Sequence, residues 1–455
     1  VGRETDTIGV RAPAFAEDRR AIAAWCLFDF ANSAYTTVIV TSVFAVYFVK
    51  TVVGPGAVSG ELLWSIASSI SLLIAAALSP PLGALADGRA LKRSFLIASS
   101  LVCIGATALL SGVGHGQVAL AMALYIAANV AFEVGYVFYN GFLPEIASPA
   151  RAGWVSGLGW ATGYLGGMLS LAVALIPLSV LLPPGATAEQ TAHGARVACL
   201  LSAVHFLVFA LPAFFVLRDR AAVRGAAIPP RRFDPAEPFR RLATTLRNFR
   251  SHPDMWRFLL ANLIYNDGVV TIFFFAGIYM SRALHMSQGA IILLVLVINL
   301  PSALGSLALG RLADRIGGKK TILLTLAILV VTVAGIALTA PSASPEAAEL
   351  ARARAAFWVF AMLAGVGIGA NQSASRGLMS QLIPEERHAE MFGFYIFSGK
   401  LSSVLAPLTY GVVIQTTGSD ALAIASVAFF LVTGGLLLLR VDEKEGRRQA
   451  GTLPA

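Results

Sequence analysis

Apolar residues in this chain come in runs of about 20 or more, the length an α-helix needs to cross a bilayer, and short polar breaks separate them. A soluble fold would have to hide these runs in helices with no polar face. Hydrophobic residues make up 57% of the chain and charged residues only 13%, about half the charged share of an ordinary soluble domain. Lipid offers no partner to a free backbone N–H or C=O, so each run is expected to be a helix and the chain an all-α membrane protein. The breaks predict roughly twelve spans: 21–50, 60–86, 93–112, 116–142, 152–182 and 195–217, then 254–282, 288–313, 319–340, 355–382, 389–415 and 420–440.

One polar break occurs twice. Gly83-Ala-Leu85-Ala-Asp87-Gly-Arg89-Ala-Leu-Lys92-Arg93 closes the second run, and Gly310-Arg-Leu312-Ala-Asp314-Arg315-Ile-Gly-Gly-Lys319-Lys320 closes the eighth. A second pair agrees with it: Leu143-Pro144-Glu145 ahead of Arg151 and Gly153, and Ile383-Pro384-Glu385 ahead of Arg387 and Gly393. Repeats in matching places of two hydrophobic halves indicate a duplicated membrane protein. The halves are then 21–217 and 254–440, with a segment at 1–20, a basic linker at 218–253 and a tail at 441–455. The doubled loop resembles the short cytoplasmic loop between the second and third helices of major facilitator transporters and its copy in their second half. That resemblance implies twelve transmembrane helices in two six-helix halves, and loops that stabilise one conformation by bridging neighbouring helices. Gly83 and Gly310 allow close helix approach, and Asp87 and Asp314 can accept hydrogen bonds from a helix N-terminus. Arg89, Arg93, Arg315 and Lys319 would anchor at headgroups. Ala90 stands where the pattern usually has glycine, so the first turn is expected to differ.

Net charge is +9. The basic residues cluster beside apolar runs as topology determinants do, with no basic–aromatic face for nucleic acid. Placing the N-terminus in the cytoplasm collects Arg19, Arg20, Arg89, Lys92, Arg93, Arg151, the linker arginines, Arg311, Arg315, Lys319, Lys320 and Arg447 on the inside, and leaves Lys50, Arg196, Arg282, Arg352 and Arg354 outside. Both termini and the linker are therefore expected to be cytoplasmic, in a bacterial-type inner membrane. The opening residues Val1–Asp6 are too polar for a signal peptide, so the first span is expected to direct insertion itself. In the linker, Pro229-Pro230 breaks regular structure, and Phe239–Phe249 could form an amphipathic surface helix. Cys26, Cys103 and Cys199 lie in apolar segments without metal spacing and read as buried hydrophobes.

The first span carries Phe28-Asp29-Phe30-Ala-Asn32-Ser33-Ala-Tyr35, in which Asp29, Asn32, Ser33 and Thr36 form one polar stripe. This stretch resembles the signature of the vacuolar effluxer-like branch of the facilitators, whose fungal members are linked to export of amino acids from the vacuole. Further polar residues sit on the fourth span (Asn129, Glu133, Tyr136, Tyr139, Asn140), the seventh (Asn262, Tyr265, Asn266, Asp267), the tenth (Asn371, Gln372, Ser375, Arg376) and the eleventh (Tyr395, Ser398, Lys400). In the facilitator fold the first, fourth, seventh and tenth spans line a central cavity. Charges in the bilayer are costly and mark pathways or pairs. Asp29, Glu133, Asp267, Arg376 and Lys400 are thus expected to face one cavity, ringed by Asn32, Asn129, Tyr136, Asn266 and Asn371. Plainer roles stand beside these. Asp29 and Glu133 could pair with a basic residue such as Arg151, Arg376 could snorkel, and Lys400 could neutralise Asp267 or Glu133.

The function expected is secondary transport of a small polar or zwitterionic solute, amino-acid-like and in the direction of export or import, by alternating access. A buried carboxylate, Asp29 or Asp267, would carry a coupling proton. No phosphate-binding glycine loop is present for direct ATP drive, and no cofactor or metal is expected. A monomer is expected, with the lipid bilayer, the solute and protons as partners. The alternatives are lipid or amphiphile movement, suggested by Phe273–Phe275, and a membrane enzyme. The enzyme would need a His or carboxylate cluster, whereas the histidines are scattered, with His115, His193 and His285 in loops.

Overall fold

The computed structural model describes residues 17–54, 59–180, 183, 186–219, 240, 244, 247, 251–342, 346–384, 386–401 and 405–453. Regular structure among them is helical throughout. The first half holds α1 (Arg19–Val53), α2 (Gly60–Arg89), α3 (Lys92–Leu110), α4 (Val118–Gly141), α5 (Ala152–Leu175) and α6 (Ala188–Val216). The second holds α7 (Pro253–Arg282), α8 (Gln288–Ile316), α9 (Gly318–Leu338), α10 (Ala347–Leu382), α11 (His388–Leu401), α12 (Leu405–Thr417) and α13 (Asp420–Leu439). A short α14 (Glu443–Gln449) follows. With α11 and α12 as two pieces of one span, this is the twelve-span order. Ten of the described helices are long and apolar enough to cross a membrane by length and composition; α7 and the α11–α12 pieces complete the order. Most of the linker, including Phe239–Phe249, lies outside the described residues.

Two elements start well before their apolar runs. α6 begins at Ala188, because Thr187 and Gln190 form a reciprocal capping box that closes a polar first turn. His193 is therefore helical, not in a loop. α10 begins at Ala347, eight residues before the sequence boundary, over a first turn containing Glu349. α1 is α-helical to Ala34 and then widens into π-helical turns over Tyr35–Ser42 and Phe48–Val53. Hydroxyls feed back on the first of these, Thr41 Oγ1 donating to the Thr36 and Thr37 carbonyls at 3.1 and 2.9 Å.

Each half has its own apolar core. In the first, α1 packs on α5 and α6, and α4 on α2 and α3; in the second, α7 packs on α13, and α10 on α8 and α9. The halves meet through α5 against α8 and α10, and through α11 against α2 and α4. Large apolar side chains such as Leu73, Val102, Phe215, Val331 and Leu436 remain on the outside, as a lipid-facing surface requires. The protein is a multi-pass integral membrane protein.

Candidate functional site

Asp87 and Asp314 end α2 and α8 at the same end of the bundle, called here the basic end. Each reaches across to the other half. The Glu390 N–H, in the first turn of α11, donates to Asp87 Oδ2 at 2.9 Å. The Gly153 and Trp154 N–H groups, in the first turn of α5, donate to Asp314 Oδ1 and Oδ2 at 2.8 Å each. Both carboxylates thus satisfy the open N–H groups and the positive end of a helix from the opposite half. The glycines make this approach possible. A Cβ on Gly83 would run into the Ala389 carbonyl, and one on Gly310 would lie 2.7 Å from the Gly153 oxygen.

The basic residues divide their work. Lys92 is buried, lying 3.4 Å from Asp87 and in an ion pair with Glu145; His388 Nδ1 is 3.7 Å from the same Glu145 oxygen. Arg93 Nε donates to the Phe214 carbonyl at 2.9 Å, and Lys319 Nζ to the Leu439 and Val441 carbonyls at 2.8 and 2.7 Å, so each ties off the last span of its half. Arg315 is exposed and Arg89 partly so. Two acidic residues complete the pattern, and sequence reasoning missed both. Asp219 accepts from the Lys92 and Arg93 N–H groups at the start of α3, and Glu443 from those of Gly318 and Lys319 at the start of α9. Burial pushes the Asp219 carboxyl up from its ordinary value, against the pull of those two N–H groups.

Deeper in, roughly 10–20 Å from the basic end at 1.5 Å per residue, two ion pairs cross between halves. Arg376 on α10 is 1% exposed, and its Nη1 lies 3.1 Å from Asp29 Oδ2 on α1. The same guanidinium donates from Nε to Ser156 Oγ at 3.0 Å, from Nη2 to the Ser156 carbonyl at 2.7 Å, and from Nη1 to the Tyr136 hydroxyl at 3.5 Å. It lies over the rings of Trp25, Trp160 and Tyr139, at 4.7, 5.2 and 5.6 Å. The second pair joins Lys400 Nζ on α11 to Glu133 Oε1 on α4 at 2.6 Å; the lysine side chain is 32% exposed and the glutamate 7%. Arg151, the alternative partner for both carboxylates, pairs instead with Glu17 ahead of α1. Arg376 is enclosed and does not snorkel.

The remaining candidates fall elsewhere. Asn129 donates to Ser71 at 2.7 Å and accepts from Tyr35, pinning α4 to α2 and α1. Asn371 donates to Thr325 at 2.9 Å, pinning α10 to α9. Asn266 approaches the Gly399 carbonyl at 3.4 Å, beside Lys400. Asp267 is buried on α7 and belongs to neither inter-half pair. Asn32 faces a small cavity within the first half, lined by Phe28, Ser100, Phe132, Tyr136 and Phe206. Ser156, Trp25 and Trp160 were not singled out from the sequence. A serine and two tryptophans on apolar helices carry no mark of a shared arginine.

The family model described as "Vacuole effluxer Atg22 like" matches residues 53–451. The chain belongs to that family. This Atg22-like chain is 27% identical over 433 residues to the "Uncharacterized MFS-type transporter YxiO" of Bacillus subtilis (strain 168), covering 92% of this chain and 94% of the relative. It is 24% identical over 355 residues to "Autophagy-related protein 22" of Yarrowia lipolytica, with 72% of this chain and 57% of that protein covered. The match to the Cryptococcus neoformans protein of the same name is 26% over 302 residues, and the chain spans about half the length of such fungal relatives, 54% in that case. Among solved structures, the proton:xylose symporter XylE superposes with a TM-score of 0.72 at 13% identity, covering 94% of this chain and 96% of that one. A bacterial homologue of the iron transporter ferroportin, in an outward-facing state, gives 0.66 at 16% identity, covering 92% and 98%. The fold is that of the major facilitators, and the Atg22-like chain is a transporter of that type, not an enzyme.

Proposed function

We propose that this Atg22-like transporter moves a small polar or zwitterionic solute by alternating access, and that the Asp29–Arg376 and Glu133–Lys400 pairs are the charges that exchange partners during the cycle. The observation that carries this reading is that both buried pairs join one half to the other. A conformational change that separates the halves at the basic end must break both. A buried ion left without its partner costs several kcal/mol, so each pair needs a substitute in the separated state. A zwitterion supplies one: its carboxylate can take the place of Glu133 at Lys400, the more exposed member, while its ammonium takes the place of the lysine at Glu133. At the other, a proton or a cation must take the place of Arg376 at Asp29 as the arginine departs. Asp267 is the second candidate for that proton.

The basic end is assigned to the cytoplasm on the inside bias of lysine and arginine. The bonds that cross between halves at that end support a state closed to the cytoplasm. Uptake of a panel of amino acids into proteoliposomes, with and without an imposed pH gradient, tests the reading. Gradient-driven accumulation should be lost in Asp29→Asn, and Lys400→Met should lose exchange as well. Lipid scrambling without amino-acid uptake in the same vesicles would replace this reading with lipid transport.

A further inference from the structure

The contacts that hold Arg376 are one-sided. Among the described residues, the acceptors at Asp29, Tyr136 and Ser156 and the rings of Trp25, Tyr139 and Trp160 all belong to α1, α4 and α5 of the first half, while Arg376 belongs to α10 of the second. The first half has therefore built a complete receptor for a planar cation: one carboxylate, a hydroxyl and a carbonyl set for separate guanidinium nitrogens, and three aromatic faces. Such faces attract a desolvated cation, and the separate acceptors match the fixed fork of a guanidinium better than the point charge of an ammonium. Gly159 keeps the space open; a Cβ there would lie 2.8 Å from Arg376 Nη2 and 2.5 Å from the Trp25 ring. When the halves part at the basic end, the arginine leaves with α10 and the receptor is left empty with its carboxylate unpaired.

We propose that this cage binds a second, planar cation of the solute, a guanidinium or similar group distinct from the ammonium taken by Glu133, and that Arg376 is its built-in occupant in the closed state. This rests on the transport reading above and narrows its solute class. A cation that binds only the state open at the basic end shifts the population toward that state. The arginine's return as that end closes then displaces the cation from the cage, so solute and side chain take turns in one site.

Two measurements on the full-length protein test this. In proteoliposome counterflow, arginine should exchange and leucine should compete weakly. Trp160→Leu should raise the half-saturating arginine concentration roughly tenfold, with Trp160→Phe near wild type, as loss and retention of a cation–π face predict. In purified Arg376→Ala, methylguanidinium should raise the melting temperature while methylammonium does not, and adding Asp29→Asn should remove the effect. Leucine exchange with arginine neither exchanged nor competing would overturn the proposal and leave the transport reading intact. Methylguanidinium rescue without arginine flux in the wild type would reduce the cage to a structural cradle and overturn it as well. Absence of flux for every amino acid sinks the transport reading instead. If Arg376→Ala does not fold, the counterflow comparison at Trp160 decides alone.

Discussion

The two junctions at the basic end do the same task with different chemistry. Where α2 meets α11, the contact is charged: Asp87, Lys92, Glu145 and His388 are gathered out of water beside the α11 N-terminus. Where α8 meets α5, it is a fit of small residues, Gly153 and Gly157 against Gly310, Ser306 and Ser373, closed by Asp314 on two N–H groups. Arg311 lies over the Trp154 ring at 4.3 Å on its rim. A charged junction is strong only while complete, since removing one partner strands the others. A small-residue junction fails by steric intrusion and, apart from Asp314, carries little that salt can screen. The two doors of one gate are therefore expected to respond to different perturbations.

The largest effect is expected at the charged junction. Lys92→Met leaves Asp87 and Glu145 buried without their shared cation, costing about 3–5 kcal/mol. Cysteine labelling of the basic end should rise sharply, and a second change to Glu145→Gln should restore part of the closure. No restoration would mean that the pair does not act as a unit. Next comes Gly157→Val at the small-residue junction. A Cβ there collides with the Ser306 carbonyl, and overpacking of this kind costs about 1–3 kcal/mol. Its effect on labelling should be unchanged by salt, unlike that of any charge variant; equal salt dependence at both junctions would erase the distinction.

Asp314→Ala removes the acceptor of two N–H groups and should cost about 1–3 kcal/mol of closed state. In transport it should slow turnover more than it weakens solute binding, because Asp314 sits apart from the ion pairs. The smallest effect concerns Ala90, which holds the left-handed conformation at φ 53° where Gly317 occupies φ 97° in the second copy. Ala90→Gly should relieve about 1 kcal/mol of backbone strain, visible as a modest rise in melting temperature. A fall would place the strain elsewhere.

Much of the fold was legible in the sequence, because a bilayer enforces it: apolar length marks the spans, and the doubled Gly-x-x-x-Asp loop marks the halves. The carboxylates and cations of the site were legible too, since charge on an apolar helix stands out. Lys400 with Glu133 was one of the pairings open to a reading of the sequence, but Arg376 with Asp29 as a structural pair was not. Arg376 finds Asp29 and Ser156 across 347 and 220 residues of chain, a relation that helical spacing within one span does not encode. Asp219 and Glu443 cap helices begun more than a hundred residues earlier, so a reading of local caps passes over both. Asn129 and Asn371 read as cavity polarity, yet each is bonded within its own half. A buried amide that pins two helices and one that lines a pathway look alike in sequence.

The central claim is that inter-half contacts at the basic end, with Asp29–Arg376 behind them, hold the halves together there. Spin labels at Ser94 on α3 and Lys320 on α9, both exposed at that end and outside the junctions, report it directly through their distance distribution in lipid. The account predicts one dominant short distance in the wild type, and a second, longer population in Asp29→Asn and in Lys92→Met. An unchanged short distance in both variants would contradict it.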